Sequence, residues 1–383
     1  MRAMRRGVGM IVSVALAAVL AAALLAPADG GAQVPGVCLG DLTGAGVPVE
    51  PGPKLRFGIN PAGEAGALGP AAPVTPIDPA KTLAALRELR PAGAPFVLRL
   101  NRLFWSGSGQ GLVKQFRAQV RAYARKGFLV ELQLRYHPRP DQEGNIGAWV
   151  KFVRHVVRLF GPIKRLVAIQ VTNEVNFLTI SPDSSDSAFK GARDALIQGV
   201  IAAKKTALRR GYHQLTIGFN WAYRNDPASE ASFWNYLHDH GGAAFADSVD
   251  WVGLDAYPGT VFPPLEPPGG EGDGMVAAMS QLRECFMPIA GLGPAVPIHV
   301  EENGWPTGPG RSEAEQAAAM SSMIGAVDRF RGTYGVTDYR WFDLRDHNTS
   351  SANVQHLYGL LRDDYSPKPA FGLYRDLVAQ LGG

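Results

Sequence analysis

One recurrence constrains this chain more than any other feature. Short apolar, β-branched runs return at residues 55–60, 95–101, 128–136, 165–173, 214–220, 249–257, 297–302 and 337–343. Their length and composition suit buried strands better than helices. Helical patterns lie between them. One opens at Asp78-Pro79, an N-cap followed by proline at the first helical position, and another at Ser312 to Glu315, a capping box. The stretches 112–125, 146–160, 187–210, 228–239 and 274–290 carry apolar residues at helical spacing, and a last helix is expected from Pro369 to Leu381. Eight strands, each followed by a helix, make the pattern of a (β/α)8 TIM barrel of α/β class.

The spacing supports this. Taking Asn60, Arg99, His137, Glu174, Asn220, Tyr257, Glu302 and Trp341 as strand-end markers, successive intervals run from 37 to 46 residues. No motif repeats at that period, so the repetition is one of architecture and not of sequence. An open doubly wound sheet would need a Gly-rich phosphate loop after a strand. The nearest match, Gly272 to Ala277, follows none.

Apolar residues form 46% of the chain and charged residues 19%, enough for one large core. The first residues read differently. Met1 to Arg6 holds three arginines, Val8 to Leu25 is almost wholly apolar, and Ala26-Pro27-Ala28 forms a small-x-small cleavage signal, with Gly31-Ala32 a second candidate. This predicts a signal peptide over 1–32, hence a secreted, extracellular protein. The alternative is an uncleaved anchor that keeps the chain at the cell envelope. Residues 33–53 are rich in Gly and Pro and read as a strap, which leaves 54–383 as the single barrel domain. Deleting 1–32 removes three arginines and one aspartate and takes the formal charge from +4 to +2. So small a charge gives no reason to expect a nucleic-acid or membrane partner, and a monomer is expected. Two cysteines, Cys38 and Cys285, fit either one disulfide that staples the N-terminal segment or two separate thiols.

In such a barrel, side chains at the C-terminal ends of strands converge on one mouth. The fourth predicted strand ends Val171-Thr172-Asn173-Glu174 and the seventh Val300-Glu301-Glu302-Asn303-Gly304-Trp305-Pro306. The sixth ends Asp255-Ala256-Tyr257-Pro258. Carboxylates at the ends of apolar strands are costly to bury without a task or a partner. Two of them across a barrel mouth suffice for glycoside cleavage, one giving a proton to the leaving oxygen and the other attacking the anomeric carbon or activating water. A metal-dependent hydrolase would need clustered ligands instead. HExxH is absent, the eight histidines are scattered, and His238-x-His240 reads as a helix end. No metal or cofactor is expected.

Asn173-Glu174 and Glu302-Asn303-Gly304-Trp305-Pro306 resemble signatures of the clan A glycoside hydrolases. The second is similar to the E-x-G-W-P of β-1,3-glucanases and the E-N-G of β-glucosidases. The resemblance implies Glu174 as acid/base and Glu302 as nucleophile, with Asn173 on the sugar 2-hydroxyl. It leaves Glu301 pointing the other way by strand alternation. Tyr257 resembles the sixth-strand residue that bonds the nucleophile, Arg99 the second-strand arginine that steadies its charge (Arg102 being a competitor), and Trp341 the eighth-strand platform under the sugar. The segment from Tyr358 to Ala370 is similar to the close of many such enzymes, so the likeness covers about 55–383 at separated motifs. His137, Asn220 and Trp221 fall at predicted strand ends and are candidates to line subsites. Trp105 and Trp305 either stack on sugar rings or pack beneath loops. Asp255 departs from the pattern, since relatives often carry Asn or Ser there. It should point inward as a third carboxylate or as a partner for Arg99.

These readings converge on a secreted retaining glycoside hydrolase that cleaves β-linked glycans by double displacement. The alternatives are a non-catalytic sugar-binding barrel and a transglycosylase using the same residues. The partner in each case is an oligo- or polysaccharide. A β-glucan, β-mannan or β-galactan is implied by resemblance alone.

Overall fold

A computed structural model describes residues 46–61, 73–105, 110–177, 184–224, 227–260 and 269–383. The eight apolar runs form eight strands: β1 Arg56–Ile59, β2 Val97–Phe104, β3 Leu129–Arg135, β4 Leu166–Val171, β5 Thr216–Ala222, β6 Trp251–Ala256, β7 Ile298–Asn303 and β8 Val336–Trp341. Each pairs in parallel with the next, and β8 pairs with β1, closing the barrel in sequence order. The (β/α)8 expectation is met. The expected signal peptide, Cys38 and most of the segment expected to be a strap lie outside the described residues. Cys285 is disulfide-bonded.

The helices are α1 Pro79–Leu89, α2 Gln110–Arg125, α3 Ile146–Phe160, α4 Ala192–Arg209, α5 Pro227–Ala246, α6 Glu271–Ser280, α7 Met287–Ile289, α8 Glu313–Tyr334 and α9 Pro369–Leu381. A π-helical segment, Gln281–Phe286, joins α6 to α7. Both caps read from sequence are present: the Asp78 side chain accepts from the Ala80 and Lys81 amides, and Ser312 with Glu315 closes a capping box. The helix expected from 187 starts later, because a 3-10 turn at Asp186–Ala188 and Gly191 at φ 79° interrupt it. No described helix is long and apolar enough to cross a membrane.

Strand alternation sorts the side chains. Ile169, Val171, Phe219, Leu254, Val300 and Tyr339 pack outward into the apolar layer under the helices. The inward set is polar. Arg99 on β2 donates to Gln170 on β4 (2.8 Å), and Arg340 on β8 lies 3.5 Å from Glu131 on β3. Lower in the barrel, Trp251 stacks on His299 with ring centroids 4.6 Å apart. Gly218 makes room for that indole, since a Cβ there would lie 2.3 Å from it. The seam is the ladder of β1 on β8, from Arg56 opposite Asp338 to Ile59 opposite Trp341, and just before it the Gly383 amide donates to the Leu55 carbonyl. Residues 48–53 lie along the end of α8, where Thr333 donates to the Pro48 carbonyl (2.7 Å) and Arg331 to that of Pro53 (2.9 Å).

Candidate active site

Two of the strand ends that leave regular geometry carry a carboxylate. After β4, Thr172 and Glu174 have φ of 65° and 46°. That left-handed region disfavours residues with a Cβ, most of all a β-branched one. The surrounding hydrogen bonds hold the turn. Asp186 accepts from the Asn173 amide (3.0 Å) and from Arg135 Nε (2.7 Å), while Asn220 Oδ1 accepts from the Glu174 amide (2.9 Å).

On β7 the pairing with β6 passes from Leu254 opposite Val300 to Asp255 opposite Glu302. Glu301 is the extra residue of a β-bulge, which resets the alternation. Glu301 therefore does not point away from the barrel interior, as simple alternation would have it. Its carboxylate lies 3.3 Å from Arg99 Nε and 3.3 Å from His299 Nδ1, fully buried.

Arg99 gathers the carboxylates. Its Nη1 donates to Glu302 Oε1 at 2.7 Å, and its Nε lies 3.6 Å from Glu131. Tyr257 donates its hydroxyl to the other Glu302 oxygen at 2.7 Å. Glu302 is thus fixed by a cation on one oxygen and a phenol on the other. Arg102 is placed elsewhere: with φ 69° in a register shift of β2, it gives its backbone amide to Gln133 Oε1.

Glu174, Asp255 and Glu302 each offer a carboxylate oxygen within 4.8 Å of the other two. Burial, then the charge of Glu302, push the Glu174 carboxyl up to about 8, against the opposing pull of Arg135 and Arg99. Burial and Glu302 also push Asp255 well above the usual carboxylate range. Asp255 does point inward, as its position two residues before Tyr257 requires. Glu131, His299 and Glu301 form a second close trio. The positive charge facing both trios is that of Arg99, joined at the second by Arg340.

The amides are less open to substrate than expected. Asn173 Oδ1 accepts from Gln133 (2.7 Å) and Asn220 (2.8 Å), and its Nδ2 donates to the Ser184 carbonyl (2.8 Å). Asn220 also donates to Asp255 Oδ2. Asn220 is a strut between β4 and β6 and not a subsite wall.

Two aromatic assignments need correction. Trp341 faces outward, fully buried against Tyr374 of α9, because Asp338 and Arg340 hold the inward positions of β8. The next residue takes the mouth: Phe342 clusters with Tyr257, Tyr358 and Ala222, its ring 6.3 Å from that of Tyr257. Trp221 likewise faces out, with its indole donating to Glu230 and packing on Phe286. Trp105 packs beneath the surface, stacked on Tyr136. Trp305 is largely buried under Arg311, whose guanidinium lies 3.8 Å from the ring centre. His137 is partly exposed between Phe104 and Phe189. Sequence reasoning missed Phe342, Asp186, Arg135 and Gln170. Phe342 was signalled only by standing beside Trp341, and the others by polar residues on or after strands that carried no motif.

No family model and no curated protein sequence matches the chain. Solved structures do. A family 39 glycoside hydrolase from Bacteroides cellulosilyticus is 16% identical with TM-score 0.59, over 86% of this chain and 64% of its own. The chain thus spans less than two thirds of that protein. The β-glycosidase of Thermosphaera aggregans is 15% identical with TM-score 0.57, over 87% and 97%. GH5_18 from Streptomyces cattleya, in complex with GlcNAc, is 16% identical with TM-score 0.56, over 86% and 80%. These structural neighbours are clan A glycoside hydrolases, and what the chain shares with them at such identities is the closed (β/α)8 barrel.

Proposed function

We propose that the protein is a secreted retaining glycoside hydrolase acting on β-linked glycans, with Glu174 as acid/base and Glu302 as nucleophile. The observation that carries this reading is the approach of their carboxylate oxygens to within 4.8 Å. That approach is nearer to the spacing of about 5–5.5 Å used for retention than to the roughly 6.5–9.5 Å that admits a water in inversion.

The sugar's anomeric carbon sits between the two groups. Glu302, held by Arg99 and Tyr257, attacks it while Glu174 gives its proton to the glycosidic oxygen. The bond from carbon to oxygen breaks, the leaving sugar departs as an alcohol, and an ester to Glu302 remains. Forming that ester removes the charge that helped Glu174 keep its proton. Glu174 then takes a proton from water, the water oxygen attacks the same carbon, and Glu302 is released. Preorganised Arg99 and Tyr257 need no rearrangement when the charge returns. The secreted location rests on the apolar N-terminal segment and the small residues that follow it.

The test is sugar release from β-glucans, β-mannans, β-galactans and aryl β-glycosides, with wild type and Glu302→Gln side by side. Release from one class that the variant loses supports the reading and names the substrate. No release by folded wild type from any of them rejects it.

A further inference from the structure

Below Glu302 several buried acceptors crowd together. Glu131 Oε1, both oxygens of Glu301 and His299 Nδ1 take no hydrogen bond from any donor among the described residues. They face one another. Glu131, His299 and Glu301 each bring an atom within 4.8 Å of the other two, and His299 Nδ1 stands 3.3 Å from Glu301 Oε1. The Glu131 and Glu301 carboxyls are in hydrogen-bond contact. Two ionised carboxylates cannot make that contact, because both are acceptors only.

The surrounding cations are engaged elsewhere. Arg99 on β2 gives its short contact, 2.7 Å, to Glu302, and lies 3.3 Å from Glu301 and 3.6 Å from Glu131. Arg340 on β8 gives its short contact, 2.6 Å, to Asp338 and reaches Glu131 at 3.5 Å. Arg56 on β1 also binds Asp338, at 2.7 Å. Burial lowers the His299 ring to about 4, so at neutral pH it is uncharged. Its one N–H cannot serve both Glu301 and Asp338, which lies 3.3 Å from Nε2. From β6 comes the carboxyl of Asp255, while β4 and β5 present the uncharged amides of Gln170 and Asn220. Two full negative charges at Glu131 and Glu301 would thus stand in the barrel with no short contact to a cation, which is strongly unfavourable for buried ions.

We propose that Glu131 and Glu301 share one proton, so that the two acids carry a single negative charge and Arg99 is left to hold Glu302. Glu131 is the holder: burial first, then the charge of Glu301, push its carboxyl well above the ordinary carboxylate range. Fully buried, Glu131 acts through Arg99 and is a positioning residue. A second charge there would draw the guanidinium away from Glu302. The shared proton follows from the interior geometry; its effect on turnover rests on the glycoside hydrolase reading above. Folding takes this proton up, because in the unfolded chain both acids ionise above about pH 4.5. The pair's contribution to stability is therefore full below about pH 4.5 and shrinks as pH rises.

The experiment is urea unfolding of wild type, Glu131→Gln, Glu301→Gln and the double variant from about pH 5.5 to about pH 8. A glutamine amide donates to the remaining carboxylate and stands in for the shared proton. The folding constant of each single variant relative to wild type should rise about tenfold per pH unit, and that of the double variant relative to either single should not vary with pH. A wild-type ratio that ignores pH overturns the proposal, since two ions, or a metal ion held between them, take up no proton on folding. A second tenfold rise in the double variant also overturns it, since each acid then holds its own proton. Either single variant gives the first result if the other does not fold. Kinetics on 2,4-dinitrophenyl β-D-glucoside test the positioning role. Glu131→Gln should keep kcat/KM within about threefold of wild type, and Glu131→Asp, an acid one methylene too short to reach Glu301, should lose about tenfold or more. Equal kcat/KM in the two overturns that role. Wild type that cleaves no β-glycoside overturns the reading beneath it, while the urea result still decides the proton.

Discussion

Glu301 and Glu302 are neighbours in sequence, and both face the barrel interior. A single extra residue on β7 between the partners of Leu254 and Asp255 brings this about. Arg99 reaches both, at 3.3 Å and 2.7 Å, so one guanidinium links the candidate nucleophile to the polar layer below it. Burial of so many charges is tolerable only because each meets an opposite charge or a donor.

Replacement of Glu302 by Gln keeps the shape and loses the attacking group. Turnover should vanish while the melting temperature stays close to that of wild type. Glu174→Gln should lose about 10²–10⁴-fold on substrates with poor leaving groups, and far less on dinitrophenyl glycosides, which need no proton. Steady-state kinetics with circular dichroism melts check both. Equal losses on the two kinds of leaving group would contradict the acid role.

The pH profile follows from the raised Glu174 carboxyl. Activity needs its proton, so kcat/KM should fall as pH rises through about 8. The same shift bears on stability. A carboxyl whose folded value exceeds its ordinary 4.5 contributes fully below about pH 4.5, and that contribution is lost as pH rises toward about 8. Glu174→Gln, which cannot ionise, should therefore melt a few degrees above wild type at pH 8.5, with the gap closing near pH 4.5. A gap that does not vary with pH would remove Glu174 as its cause.

Trp341 and Phe342 should separate cleanly. Trp341→Ala opens a cavity against Tyr374 and should cost about 3–5 kcal/mol. Phe342→Ala should act mainly on KM, since its ring lies at the mouth beside Tyr257. Urea titration and kinetics on the two variants decide this, and the reverse pattern would return the platform to Trp341.

Gly253 sits where β5, β6 and β7 crowd together. A Cβ there would lie 2.8 Å from that of Asn220 and 2.9 Å from Glu301 Cγ. Gly253→Ala should cost about 1–3 kcal/mol through overpacking and should lower kcat by displacing the Asn220 strut. A stable variant with unchanged kcat would show that Asn220 tolerates movement.

The barrel was legible because its signal is redundant. Eight apolar runs, helix caps at Asp78 and Ser312, and regular spacing all repeat the same message, so an error of two residues at any strand end changes nothing in the topology. The site is less forgiving. Glu174, Glu302, Tyr257, Arg99 and Asp255 were legible because their positions at strand ends, taken with motif, put them on inward faces. Glu301 was misplaced because a bulge leaves no mark in a pattern of alternation. Trp341 and Phe342 were exchanged for a related reason: a strand's last inward residue shifts face with a single step. The commitment of Asn173 to Ser184 depends on a contact 11 residues away, which spacing does not reveal.

The seam between β1 and β8 has a consequence for biosynthesis. Arg340 binds the carbonyl of Arg56 across 284 positions of chain. A ribosome releases β1 long before the strand that completes it, and through that interval the nascent sheet has two open edges and an uncovered mouth. The acidic residues now paired around Arg99 must then remain hydrated until the final strand arrives with Arg340. Closure and desolvation of the charged interior are thus a single event that waits for the eighth strand to be made.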